Sequence, residues 1–262
     1  MDANDLFSLE GRNAIVTGGS RGIGRMIANG FISAGAKVYI SSRNSDACDS
    51  TAAELGPNCI SLPQDLSSPD GCQALARAFG KREDHLDILV NNAGAAWMEP
   101  FASFPEKGWD KIIDVNLKSP FFLTQALHSL LQLAASPGRP AKVINIASID
   151  GLRLNSWETY SYASSKAALI HLTRNLAARL IKDDIVVTAI APGAFPSEMN
   201  RTARDHGDTI ATKIPAKRIG DADDMAGAAI YLASKAGNYV VGSTLVVDGG
   251  VYFATLDDNT DA

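Results

Sequence analysis

Seven short β-branched runs recur along this chain, each followed by a longer stretch, and that alternation leaves few folds open. The runs are Asn13 to Val16, Lys37 to Ile40, Asn58 to Leu62, Leu86 to Val90, Lys142 to Ile146, Ile185 to Ile190 and Thr244 to Val247. Helical periodicity falls between them, near residues 22–34, 45–55, 69–82, 107–134, 161–182 and 221–234. Strands separated by helices require right-handed crossovers, and hence a parallel sheet covered on both faces. The expected fold class is therefore α/β: a single-domain, Rossmann-type, doubly wound seven-stranded parallel sheet with helices on both faces.

No Pro/Gly/Ser linker divides the 262 residues, a length that one such sheet commonly reaches. Ser136-Pro137-Gly138-Arg139-Pro140 is the strongest break, but it lies where a helix must turn back into a strand and reads as a loop. Residues 194–216 interrupt the alternation just past the sixth strand. Ligands bind at the carboxyl ends of strands in open α/β sheets, so this insertion is a candidate lid. The polar, acidic tail, 255–262, is expected to fray.

Composition removes several function classes. Twenty-four Lys and Arg against 29 Asp and Glu leave a net charge of −5, which opposes binding to nucleic acid. Cys48, Cys59 and Cys72 are odd in number and lack C-x-x-C spacing, arguing against a disulfide framework or a zinc site. No H-E-x-x-H stretch or Cys/His cluster suggests any other metal. The acidic start and the lack of an apolar run near the roughly 20 residues that span a bilayer point to a cytoplasmic protein without membrane attachment.

The turn Gly18-Gly19-Ser20-Arg21-Gly22-Ile23-Gly24 joins the first strand to a helix, where backbone N–H groups and a helix N-terminus can meet a pyrophosphate. Its G-x-x-x-G-x-G spacing differs from the general G-x-G-x-x-G fingerprint. Ser41-Ser42-Arg43-Asn44 closes the second strand, at the place where an NAD site carries an acid. Arg43 and Arg21 instead suit a 2′-phosphate, favouring NADP(H). Asp65, beside Leu66, is placed to accept from an adenine amine. Asn91-Asn92-Ala93-Gly94 supplies amides and small residues after the fourth strand.

Tyr162 and Lys166, four apart at a helix start, share one face. A free tyrosine has a pKa of about 10, and a neighbouring cation pulls it toward neutrality, giving an acid–base catalyst. Tyr160 is the weaker choice because Ser164, not a lysine, follows it by four.

Thr17-Gly18-x-x-x-Gly22-x-Gly24, Asn91-Asn92-Ala93-Gly94, Asn116, Ser148, Tyr162-x-x-x-Lys166, Pro192-Gly193 and Asp248-Gly249-Gly250 occur in the order of a known family. Across nearly its whole length the chain resembles the short-chain dehydrogenases/reductases. Within them it is most similar to NADPH-dependent 3-oxoacyl-thioester reductases, a type that serves fatty-acid and rhamnolipid precursor synthesis. The resemblance implies that Tyr162 protonates the substrate carbonyl oxygen and that Ser148 hydrogen-bonds the same oxygen. Lys166 would depress the tyrosine pKa and bind the nicotinamide ribose, and Asn116 would anchor a water leading to bulk solvent. NADP(H) would lie against Gly18, Ser20, Arg21, Gly22, Ile23, Gly24, Ser42, Arg43, Asp65, Leu66, Asn92, Ala93, Gly94, Tyr162, Lys166, Pro192 and Gly193. Ile149, Leu152, Leu154, Trp157, Phe195 and Met199 would line an apolar pocket for an acyl chain. A homotetramer built on helices 107–134 and 161–182 is also implied.

Departures from the pattern bear on the acyl carrier. Leu131-Gln132-Leu133-Ala134-Ala135 is neutral where carrier-protein docking calls for basic residues, and Ala178 stands where an arginine is expected, with Arg174 and Arg179 close by. Substrates on coenzyme A or small thiols are therefore expected to serve about as well as those on acyl carrier protein. Ser197 replaces a threonine at the lid start and Phe195 an aliphatic residue, suggesting a bulkier channel wall. Two other classes compete: a hydrolase, because Gly18-x-Ser20-x-Gly22 also fits a nucleophile elbow, and a non-catalytic NADP(H)-sensing regulator.

Overall fold

The computed structural model of the chain describes residues 2–198 and 200–254. Met199 and the tail 255–262 lie outside the described residues. A short helix α1 (Ala3–Phe7) leads into β1 (Asn13–Thr17), α2 (Gly22–Ser33), β2 (Lys37–Ser41), α3 (Ser45–Leu55), β3 (Cys59–Ser61), α4 (Pro69–Gly80) and β4 (Ile88–Asn91). Then come α5 (Glu106–Ile113), α6 (Ser119–Ala134), β5 (Ala141–Ile146), α7 (Tyr160–Leu180) and β6 (Ile185–Pro192). The last elements are α8 (Arg201–Asp205), α9 (Gly207–Ala211), α10 (Ala222–Ala233) and β7 (Thr244–Val247). All strand pairs are parallel, in the order β3-β2-β1-β4-β5-β6-β7.

The order reverses between β1 and β4, so the crossovers leave helices on opposite faces and open a crevice at the carboxyl ends of those two strands. Every residue of β1, β4, β5 and β6 is buried, whereas edge strand β7 is half-buried throughout. Alternation along each strand divides the core. Ala14, Val16 and Ile144 pack toward Phe31 of α2 and Met225 of α10. Ile15 and Val143 face Leu75 and Phe79 of α4 and Leu127 of α6. Close approach of α2 and α10 needs Gly30, where a Cβ would come within 2.5 Å of the Ala226 Cβ.

Buried polar groups in the sheet are paired across strands. Asn91 donates to the Asn145 side-chain oxygen at 2.9 Å, and Asn145 donates to the Thr173 hydroxyl of α7 at 2.9 Å. At the amino end of the sheet, fully buried Asp87 accepts from the Arg12 guanidinium at 3.1 Å and the Asn13 amide at 2.9 Å. No helix among the described residues is long and apolar enough to cross a membrane.

One expected element is corrected. Residues 107–134 are not a uniform α-helix, because a π-helical turn, Asp114–Lys118, joins α5 to α6. Pro120 lacks the N–H that an α-helix would donate to the Asn116 carbonyl four residues back, and the widened turn occurs at that point.

Candidate active site

A cleft of about 1210 Å³ opens along the carboxyl ends of the strands and is lined by residues from 18 to 251. That exceeds the roughly 300–1,000 Å³ of an ordinary ligand pocket and leaves room for two ligands side by side. Every residue assigned from sequence to the cofactor lines it: Gly18, Ser20, Arg21, Gly22, Ile23, Gly24, Ser42, Arg43, Asp65, Leu66, Asn92, Ala93, Gly94, Tyr162, Lys166, Pro192 and Gly193.

The glycine turn is held by the strand beside it. Gly18 and Gly22 have φ of 65° and 53°, the left-handed region that costs glycine nothing. Asn92 Nδ2 donates to the Thr17 carbonyl at 2.8 Å, while the Thr17 hydroxyl accepts the amides of Asn92 and Ala93 at 2.9 Å each. A Cβ on Gly24 would fall 2.4 Å from Asn92 Nδ2, so the turn, its amide lock and the opening of α2 fit only without a side chain there. Sequence reasoning named Asn92 but missed the lock role of Thr17, whose only outward sign was its place before the glycines.

Charge at the cofactor end is cationic. Arg21 and Arg43 are exposed and neither forms an ion pair among the described residues. Asp65 accepts the Ser67 amide at 2.9 Å, so it caps its own loop while facing the cleft. A glycine cradle with two unpaired arginines at the end of β2 fits a nucleotide bearing a 2′-phosphate.

Farther along, β5 delivers Ser148 just past its carboxyl end and α7 delivers Tyr162 and Lys166 from its first two turns. The Ser148 hydroxyl accepts the Asp150 amide at 3.1 Å and lies beside the Tyr162 phenol, whose pKa it lowers. Lys166 Nζ donates to the Ile146 carbonyl at 2.7 Å and lies 5.7 Å from the Tyr162 ring centroid. Tyr160 points elsewhere, its hydroxyl donating to Glu158.

Titration differs from the expectation that the lysine draws the phenol toward neutrality. Burial pushes the Tyr162 phenol up to about 12, against the lowering effect of the Ser148 hydroxyl. Burial also takes Lys166 down to about 8. Desolvation of the phenol sets the direction, and the Asp150 carboxylate adds to it.

The Asn116 side chain is engaged within the protein. It is 1% exposed and does not line the cleft. Its Oδ1 accepts the Ala95 amide and its Nδ2 donates to the Ala95 carbonyl, both at 2.9 Å, with a further bond to the Ser165 hydroxyl at 3.1 Å. The amide thus positions the Ala95 loop against α7. Of the substrate residues, Ile149, Leu154, Trp157 and Phe195 line the cleft. Leu152 does not, since the 3-10 turn Ile149–Gly151 carries it away from the opening. Phe195 is 2% exposed and its ring packs on Gly220, where a Cβ would lie 2.4 Å from it, so it is a wall built into the core. Met199 lies outside the described residues.

Met98 and Arg153, in the loops 95–99 and 149–157 that flank the catalytic pair, and Ile210, Lys213 and Ile214 of the expected lid also line the cleft, as do Lys111 and Val115, which sequence reasoning did not reach. Lys111 and Val115 reach it from the helical segment after the fourth strand, where no local motif announces them. No histidine lines the cleft, which leaves Ser20 without the base a hydrolase needs.

Comparison with known proteins agrees with this geometry. The family model described as enoyl-(acyl carrier protein) reductase matches residues 18–252. The rhamnolipids biosynthesis 3-oxoacyl-(acyl-carrier-protein) reductase of Pseudomonas aeruginosa is 45% identical over 251 residues, covering 94% of this chain and 98% of the relative. The solved Pseudomonas aeruginosa RhlG/NADP active-site complex superimposes with a TM-score of 0.92 at 45% identity, over 95% of this chain and 99% of that one. A gluconate 5-dehydrogenase from Burkholderia cenocepacia, solved with NADP and tartrate, gives 0.88 at 35% identity over 97% and 100%. The fold, the glycine turn and the Ser148–Tyr162–Lys166 arrangement together with these matches establish that the chain belongs to the short-chain dehydrogenase/reductase family of oxidoreductases.

Proposed function

We propose that the chain reduces 3-oxoacyl thioesters to 3-hydroxyacyl thioesters with NADPH. The observation that carries this reading is a phenol, a hydroxyl and a buried lysine, Tyr162, Ser148 and Lys166, brought together in a cleft whose wall bears Met98, Leu154 and Trp157. NADPH, when bound, supplies the hydride for the ketone carbon. Gly18 to Gly24 and Arg21, Arg43 and Asp65 would hold its nucleotide half. Ser148 and Tyr162 both donate hydrogen bonds to the ketone oxygen, and Tyr162 delivers its proton as negative charge grows there. A phenol held near 12 stays protonated at neutral pH, so it is loaded as an acid. Lys166, charged below about 8, stabilises the phenolate left behind. Asn116 fixes the Ala95 loop and offers the π-turn carbonyl to the water that returns the proton.

The reductase reading places the chain in the cytoplasm, in fatty-acid or rhamnolipid precursor synthesis, as a homotetramer on its two long helical segments. Residues 194–216 serve as the substrate lid: Ser197 reaches the glycine turn, and Ile210, Lys213 and Ile214 face the cleft. The neutral end of α6 supports use of coenzyme A as well as acyl carrier protein.

A second reading, reduction of a keto-sugar acid, draws on Lys111, Arg153 and Lys213, three exposed cations in the cleft with no ion pair among the described residues. One assay separates the two. NADPH oxidation is measured against 3-oxoacyl thioesters on coenzyme A and on carrier protein, and against 5-ketogluconate. Turnover of thioesters alone supports the first reading, and turnover of the sugar acid alone overturns it.

A further inference from the structure

Several of the large exposed apolar side chains gather on two segments at the mouth of the cleft. Met98 is 59% exposed, Phe101 78%, Leu154 94% and Trp157 50%, with Trp109 and Tyr160 also open to solvent. Their rings are ordered. Phe101 and Phe104 meet the Tyr160 ring edge-on at 5.8 and 5.7 Å, and Phe104 meets Trp109 at 6.3 Å. One residue ties the two segments together: the Glu158 carboxylate accepts the Phe101 amide at 3.0 Å and the Tyr160 hydroxyl at 2.9 Å, and its carbonyl accepts the Glu99 amide at 3.3 Å. The ledge is therefore held in place before any ligand arrives. A contiguous apolar patch of this kind on a water-facing surface marks an interaction site.

We propose that this ledge is an acyl-chain site outside the catalytic cleft, taking the distal methylenes of a linear saturated chain whose reacting carbonyl sits at Tyr162. The inference rests on the thioester reading. What selects this occupant is continuity. Met98, Leu154 and Trp157 line the cleft and also form the inner margin of the ledge, while Phe101 and Tyr160 continue it outward. A chain longer than the cleft passes from one to the other over Met98, Leu154 and Trp157, which belong to both. A short or hydroxylated substrate gains nothing from it.

The test is the dependence of kcat/KM on chain length, from 3-oxobutyryl to 3-oxododecanoyl coenzyme A, in the wild-type enzyme and in Phe101→Ser and Phe101→Leu. A methylene laid on an apolar surface gains part of the transfer free energy of full burial, about twofold in kcat/KM for each one. The site predicts a rising series whose long-to-short ratio falls about tenfold in Phe101→Ser and is restored in Phe101→Leu. A flat series, or a ratio unmoved by Phe101→Ser, overturns it. Binding of saturated fatty acids of the same lengths to the NADPH-bound enzyme, followed by tryptophan fluorescence, is read in parallel. Should thioesters go unreduced while fatty-acid affinity still climbs with length and drops in Phe101→Ser, the ledge stands and the thioester reading falls. Sedimentation supplies the remaining outcome: if Phe101→Ser breaks the oligomer, the ledge is an interface between copies and the proposal is wrong.

Discussion

Two lysines are buried at opposite ends of the fifth strand, and only one of them belongs to a site. Lys142 stands at the start of β5, 1% exposed, with no hydrogen-bond partner for its Nζ among the described residues. Burial, with Arg12 nearby, lowers it to about 7. Lys166 reaches the other end, bonded to the Ile146 carbonyl, and is lowered to about 8. On titration alone Lys142 would be the better catalyst for neutral pH. Its surroundings decide otherwise. It does not line the cleft, and the neighbouring Arg12 is already engaged with Asp87, which Arg139 and His85 also approach at 3.3 and 3.4 Å. At the carboxyl end, Arg21, Arg43, Lys111, Arg153 and Lys213 face the cleft with no ion pair among the described residues. A shifted titration records burial. A site needs, in addition, an opening and charges left without partners.

The largest effect expected from breaking this contrast is at Lys166. Lys166→Ala should cut the rate of reduction by ~10²–10⁴, the range for losing support of general acid catalysis, and weaken NADPH binding. Steady-state kinetics with cofactor titration reads both, and a variant within a factor of a few of wild type would remove Lys166 from the mechanism. The same lysine sets the alkaline limb: since it loses its proton above about 8, kcat/KM for reduction should fall as pH rises through that value. A profile flat to pH 10 would show that the charge is not needed.

Arg43→Ala should raise the KM for NADPH by about tenfold to a hundredfold and leave that for NADH nearly alone, as charge-assisted bonds to a 2′-phosphate are worth ~1.5–3 kcal/mol. Equal changes for both cofactors would assign the choice to another residue. At the opposite end, Lys142→Met should leave kinetics unchanged and raise stability by about 1–4 kcal/mol at neutral pH. The sign follows from linkage. A folded pKa depressed to about 7 means that the buried amine costs most below that pH and nothing above its unfolded value of about 10.4. Thermal unfolding at pH 7 and pH 10 checks it, and a gain that grows with pH would contradict the account.

The layout of the sheet was legible because hydrophobic periodicity is local: each of the seven runs became a strand, and every helical stretch but 107–134 became a single helix. The glycine turn and Tyr162-x-x-x-Lys166 were legible for the same reason, their spacing being set within one turn. The π turn at Asn116 was missed, although Pro120 four residues later carries its cause. Leu152 was misplaced because a single 3-10 turn decides which residues of that loop face inward. The direction of the Tyr162 shift depends on how deeply the phenol is buried, and Phe101 and Lys111 enter the mouth through contacts between distant segments. No spacing rule reaches either.

The central claim is that Tyr162 supplies the proton in an NADPH-dependent reduction at the carboxyl end of the sheet. Its most direct test is Tyr162→Phe, with NADPH affinity and single-turnover reduction of a 3-oxoacyl thioester measured on the same sample. The account predicts nearly unchanged affinity with the rate lowered by ~10²–10⁴, since only the phenolic proton is removed. Reduction at the wild-type rate would contradict it.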